Sequence, residues 1–342
     1  MSIELPVLRL GLAGFSAEQK SELDAMLRHA SPGGHMWQVG KFADADAWWV
    51  NGSRLQMLPD GTVRVSPGAP TERSLQLDLA QVDRPIAFTL PLASREFRPA
   101  YTFEPCSLPS VNKLLQKFES WLQPVAAQFA LAARILEQET VLGSGVYHVS
   151  INGALIAVVN MKGDIGLLPS AGPTDFDQAM WTRRPSGATD IPESFLRTTL
   201  SQLMWQYALR TTRDVLPARY RTAVVYFRRP PRISQRLITD AHLLVVRELA
   251  AAPGNFQDLQ QRTGLGAAQL ARNLSALYLV GSITSNPKRA GLSRSGAGDE
   301  GDSLHHIQHS VTPSGMDSEP PSRPGRQPAF TDLTAPAPMN LR

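Results

Sequence analysis

The sequence predicts a multidomain α/β protein: a parallel-sheet domain, an α+β module, a small helical domain and a polar tail. Three observations carry this. Asp46-Ala-Trp-Trp-Val-Asn51-Gly52 runs apolar and aromatic residues into a polar residue and a glycine, the way a buried parallel strand ends at the working edge of a sheet. Asn152-Gly153 between β-branched runs is the strongest hairpin signal in the chain. From Ile238 to Asn286 apolar residues recur at helical spacing, and beyond Pro287 the chain turns to Gly, Ser, Pro, Asp and Arg.

In the first third, Val7–Ala13 is an apolar run that reads as a strand. A helix follows near Ser16, a good N-cap, with Leu23, Met26 and Leu27 on one stripe. Leu58-Pro-Asp-Gly61-Thr-Val-Arg-Val65 predicts a hairpin that interrupts the expected crossover, leaving Leu75 to Val82 as the place for any crossover helix. Pro85–Leu90 and Ala100–Pro105 are further strands. Leu108–Leu122 is an amphipathic helix carrying Val111, Leu114, Leu115 and Phe118.

This order resembles the receiver domain of bacterial response regulators over residues 1–122. Tyr101-Thr-Phe-Glu104-Pro105 followed by Leu108-Pro-Ser-Val is similar to the receiver's fifth strand, its Lys-Pro corner and its closing helix. The resemblance implies the fold and removes the chemistry. Ala13-Gly14 stands where a working receiver keeps its Mg²⁺-holding acidic pair, Asn51 where it keeps the phosphate-accepting Asp, and Glu104 where it keeps the Lys. Thr89 occupies the switch position. An amide is a poor nucleophile, and a hard cation needs carboxylates. Asn51, Thr89 and Glu104 therefore form a degenerate phosphoacceptor position in an expected pseudo-receiver, with no catalysis and no cofactor.

Residues 123–236 open with an Ala-rich helix from Pro124 to Gln138, the composition of a packed linker or a dimer helix. Val146–Ile151, Leu155–Asn160 and Ile165–Leu168 predict three antiparallel strands, Phe195–Asp214 a long helix and Ala223–Phe227 a strand. This α+β module is assigned to sensing or dimerisation. Arg228-Arg-Pro-Pro-Arg232 follows, an extended run of forked donors suited to phosphates and carboxylates. Arg228 and Arg232 resemble half of the cyclic-di-GMP motif of PilZ domains, whose Asp or Asn, Ser and Gly half does not follow. Arg228, Arg229 and Arg232 are the anion-binding candidates, against a strand exit whose arginines pair with Asp240 or Glu248.

In residues 237–290, Asp240 caps a helix with Leu243, Leu244, Val246 and Leu249. A second helix carries Phe256 and Leu259, and Thr263-Gly-Leu-Gly266 turns into a third with Leu270, Leu274, Leu277 and Tyr278. With Ser282-Ile-Thr-Ser285 closing it, the segment resembles a winged helix-turn-helix domain. That resemblance implies a DNA-reading face of Ala268, Gln269, Arg272 and Asn273, with Lys288, Arg289 and Arg294 for phosphate; docking modules of the same fold bind protein instead. Residues 291–342 cannot bury enough apolar area to offset the entropy of ordering, so a disordered tail is expected. Its His305, His306 and His309 lack thiol or carboxylate partners, and no metal is expected there.

Composition bounds the function. A chain of 342 residues, 42% hydrophobic, buries two or three cores. A single cysteine, Cys106, excludes an internal disulfide, and no leader and no apolar run of membrane-spanning length is evident, so a cytoplasmic protein is expected. The net charge of +4 is too mild to require nucleic acid. No phosphate-cradling glycine loop, nucleophile elbow or metal-spaced His and Glu pair is present. The expectation is a non-catalytic signal-transduction regulator acting through signalling proteins, with a homodimer through the middle module. The alternatives are a DNA-binding regulator and a sensor of an anionic nucleotide such as cyclic di-GMP through Arg228 and Arg232.

Overall fold

Alternation along β1 (Val7–Ala13) divides the first third into two cores. Leu8, Leu10 and Leu12 join one, Ala13 the other. The computed structural model describes residues 4–30, 33–94 and 96–291; the expected tail, Arg294 and the three tail histidines lie outside them.

After β1 come α1 (Ala17–His29), β2 (Met36–Gly40), β3 (Ala47–Val50), β4 (Leu55–Met57), β5 (Val63–Val65), β6 (Leu75–Leu77), β7 (Ile86–Thr89), β8 (Thr102–Phe103) and α2 (Leu108–Trp121). Ser16 caps α1 through a reciprocal box with Gln19. Five strands form a parallel sheet in the order β2-β1-β3-β7-β8, in which the direction of progression reverses between β1 and β3. Helices α1 and α2 cover one face, against Trp49, Ala87 and Phe103. The three-stranded antiparallel sheet β4-β5-β6 covers Val50 and Phe88 on the other.

β2 was not legible in the sequence, because among its residues only Trp37 is buried. The expected crossover helix over Leu75–Val82 is instead the strand β6 and a 3-10 turn at Leu79–Gln81. Leu75 pairs with Val65 and Leu77 with Val63, so the period-two pattern, not the helical one, turns both leucines to the core, Leu77 buried and Leu75 partly so.

The next elements are α3 (Gln123–Glu137), β9 (Val146–Ile151), β10 (Ala154–Asn160), β11 (Asp164–Leu167), α4 (Pro173–Gln178), β12 (Met180–Arg184), β13 (Leu196–Thr199), α5 (Leu200–Arg210), α6 (Arg219–Thr222) and β14 (Tyr226–Phe227). Five antiparallel strands run β12-β9-β10-β11-β13, with the Asn152-Gly153 turn at positive φ as its type requires. The expected long helix begins only at Leu200. The β-branched Thr198 and Thr199 remain in a strand, and the Thr199 hydroxyl caps the Gln202 N–H. α3 spends its apolar surface inside the chain, burying Phe129, Leu131 and Ile135, which favours the packed alternative for this helix over the dimer one.

Last come α7 (Asp240–Ala251), α8 (Phe256–Thr263), α9 (Ala267–Leu279) and β15 (Ile283–Thr284), which pairs with β14. The cap of α7 is Thr239, one residue before the Asp240 expected from sequence. A single core runs through Trp205 and Tyr207 of α5, Val245 of α7 and Leu274 of α9, so it crosses the boundary expected between residues 236 and 237. The chain is thus a mixed α/β protein with an amino-terminal parallel sheet. No helix among the described residues is long and apolar enough to cross a membrane.

Charge joins the parallel sheet to α5. Asp46, immediately before β3, receives two hydrogen bonds from Arg210, at 2.6 and 2.7 Å, and a third from the Arg9 backbone N–H at 2.8 Å. Both side chains of the ion pair are nearly buried, 12% and 9% exposed. Glu4 accepts from the Tyr207 hydroxyl at 3.2 Å and forms an ion pair with Arg213 at 2.9 Å. Removing one member of a buried pair strands the other, at a cost of about 3 kcal/mol or more. Urea unfolding of Asp46→Ala and Arg210→Ala is therefore expected to show losses of that order, and the double variant to lose less than the two together.

His242 lies inside the second core, 2% exposed, with its ring 4.6 Å from that of Trp205. Its Nδ1 accepts the Thr239 N–H at 3.1 Å. Burial, aided by Arg9, lowers its pKa to about 4 from 6.5. Between those values the unfolded chain binds a proton that the folded chain does not, so stability falls as pH drops through the window. The total contribution is roughly 3 kcal/mol. Urea midpoints measured above and below the window should differ less in His242→Gln than in the parent.

Candidate functional site

The parallel register puts the carboxyl ends of β1, β3, β7 and β8 along one edge. Ala13 pairs with Val50, Val50 with Phe88, and Thr89 with Phe103, so Gly14, Asn51 and Thr89 occupy successive places at that edge. Reversal of strand order between β1 and β3 leaves a crevice there, because the connections from the two strands leave toward opposite sides. A cleft of about 440 Å³ opens at this place, lined by Phe15, Gln19, Leu23, Met26, Asn51, Ser53, Thr89, Leu90, Pro91 and Cys106 among others.

Asn51 is 5% exposed and its amide is engaged at both ends. Nδ2 donates to the Gly14 carbonyl at 3.0 Å, while Oδ1 accepts from the Ser53 N–H at 3.1 Å and from the Ser53 hydroxyl at 2.8 Å. These bonds hold the turn after β3. The Thr89 hydroxyl, 3% exposed, accepts the Gly52 N–H at 2.9 Å. Gly52 permits this approach: a Cβ there would lie 2.0 Å from the Thr89 carbonyl oxygen.

Asn51 and Thr89 are thus brought together. Glu104 is not: it is exposed beyond β8 and does not line the cleft. Among the described residues no lysine, arginine or histidine lines it either, and the one charged side chain at it is Glu22. Lys20, on the same helix as Gln19, is paired with Glu72 and faces a different cavity. Sequence reasoning missed Gln19, Ser53 and Phe15. The signal for Gln19 was available in Ser16-Ala-Glu-Gln19, whose spacing is that of a capping box.

The remaining candidates are dispersed. Arg228 and Arg229 are half-buried, and their backbone N–H groups reach the Ser282 carbonyl at 2.9 and 3.4 Å, continuing the β14–β15 pairing; Arg232 is exposed. Arg229 also donates to the Val280 carbonyl at 3.4 Å, beyond the end of α9. Ala268, Gln269 and Arg272 are exposed on α9, as expected, and Lys288 is exposed in the turn Pro287–Arg289 while Arg289 is half-buried. Asn273 is a correction: it is 5% exposed, not on an accessible face, because α9 is buried on almost every side from Leu270 to Leu279. The apolar stripe used to place its exposed face was narrower than the face the surrounding helices cover. Among the described residues no cluster of three or more metal-ligating side chains occurs.

The chain matches no family model, no curated protein and no solved structure.

The Gly52–Thr89 contact is directly testable. Thr89→Val removes the acceptor of a buried N–H, which costs about 1–3 kcal/mol, and Gly52→Ala forces the strand ends apart. Both are expected to lower the urea midpoint, whereas Glu104→Gln, in solvent, should leave it within about 0.5 kcal/mol of the parent.

Proposed function

We propose that this chain is a non-catalytic signal-transduction regulator: a phosphorylation-independent, pseudo-receiver-like protein acting through protein interaction. The observation that carries the reading is the composition of the cleft at the strand ends. Asn51, which the receiver resemblance matches to the phosphoacceptor, has its amide committed to Gly14 and Ser53. Among the described lining residues Glu22 alone offers a carboxylate and none offers a cation, so neither Mg²⁺ nor a phosphoryl group finds its usual partners there. The strand order β2-β1-β3-β7-β8 is compatible with a receiver-like sheet. In this reading the antiparallel module and the helices behind it form the output end, coupled to the sheet through Asp46 and Arg210.

One observation favours a second reading, in which residues 237–290 act as a winged helix that binds DNA. Gln269, Arg272 and Lys288 are exposed. Their small number, and the burial of α9 after its first turn, make this the weaker reading. A cyclic dinucleotide at Arg228, Arg229 and Arg232 has less support still, since two of the three are half-buried and hold the β14–β15 region.

The test has two arms. Incubation of the intact chain with acetyl phosphate and Mg²⁺ is expected to add no phosphoryl group by mass, and Asn51→Asp alone should not restore labelling. Titration with random-sequence duplex DNA is expected to show no binding that weakens with salt. A steep salt dependence, reduced in Arg272→Ala and Lys288→Ala, would replace the adaptor reading with the DNA one.

A further inference from the structure

We infer that the cleft at the carboxyl ends of β1, β3 and β7 is a binding site for a small uncharged molecule with an apolar body and one hydrogen-bonding end. Its position and size suit a ligand: it sits where the strand order reverses, and its volume of about 440 Å³ is in the range of small-molecule pockets. One wall is apolar, formed by Phe15, Leu23 and Met26. Burial of an apolar body against them would be favourable by about 25 cal/mol per Å².

The floor sets the polarity. Ser53 gives its hydroxyl proton to Asn51 at 2.8 Å, which leaves its oxygen as an acceptor. The Thr89 hydroxyl already accepts the Gly52 N–H at 2.9 Å, and its own proton goes to Asn51 Oδ1 over 3.5 Å, a long bond that a ligand acceptor could replace. A donor and an acceptor are therefore on offer, which fits a hydroxyl, carbonyl or amide end. The described charges disfavour an anion. Among the described residues no cationic side chain lines the cleft, Glu22 stands at it, and at the amino end of α1 Ser16 and Gln19 cap each other. Desolvating a phosphate or carboxylate there would leave it without a counter-charge. The inference goes beyond the adaptor reading and does not depend on it, since it rests on the lining chemistry alone.

Nile red, an uncharged dye with one carbonyl end, serves as the probe, and anilinonaphthalene sulfonate, of similar bulk but anionic, as the comparison. Fluorescence titration of the full chain is expected to show one saturable site for Nile red and roughly tenfold weaker binding of the sulfonate, one hydrogen bond or one uncompensated charge being worth about that ratio. Ser53→Trp, at an exposed position on the cleft, should abolish the site, and Thr89→Val should weaken it several-fold. Met180→Ser, at an exposed apolar residue 65% accessible and outside the cleft lining, should not change it. Alkylation of the parent by iodoacetamide adds a check that needs no folded variant. Cys106 is the single cysteine and lines the cleft, so saturating dye should slow its modification. Binding that Ser53→Trp leaves intact, equal or tighter binding of the sulfonate, or an unprotected Cys106 would overturn the proposal. Phosphoryl labelling would remove the adaptor reading and leave this result standing, and an absent dye site would do the reverse.

Discussion

The ion pair between Asp46 and Arg210 ties the amino-terminal parallel sheet to α5, whose buried side chains belong to a different core. Its geometry is bidentate, and its acid also accepts the Arg9 backbone N–H, so three donors converge on one carboxylate before β3 begins. Arg9 completes the junction by donating to the Leu209 carbonyl at 2.9 Å, which satisfies one of the open acceptors at the carboxyl end of α5. Burial lowers the Arg9 pKa, and the neighbouring Arg210 and Arg272 lower it further while Asp46 and Asp44 oppose them. The charges of Asp46 and Asp44 are thus a condition for burying cations at this junction.

β3 links that junction to the cleft. Asp46, fixed to α5, immediately precedes it, the fully buried Trp49 lies within it, and Asn51 at the cleft immediately follows it. Between those residues β3 is paired on both sides, to β1 and to β7.

Much of this architecture was legible in the residues. The run Asp46–Gly52, the Ser16 cap, the Asp60-Gly61 and Asn152-Gly153 turns and the helical periodicity after Ile238 each have a local cause, and each corresponds to an element or a turn. The departures also have causes. β2 carries a single buried side chain, β6 is only three residues long, and Thr198-Thr199 looks helical only when Phe195 and Leu196 are counted with Leu200 and Leu203 of α5.

Local sequence accounts for where strands end and helices begin, since caps, turns and apolar spacing act within a few residues. It placed Asn51 and Thr89 at strand ends, and it recorded that Ala13 and Gly14 carry no carboxylate. It could not say that Thr89 would meet Gly52 while Glu104 would stay in solvent, because that depends on strand order and register across residues far apart in the chain. Nor could it show that Asp46 is held by Arg210, or that α9 is wrapped on nearly every side and hides Asn273. Those are outcomes of packing between distant elements, where burial and desolvation, not local preference, fix which side chains meet.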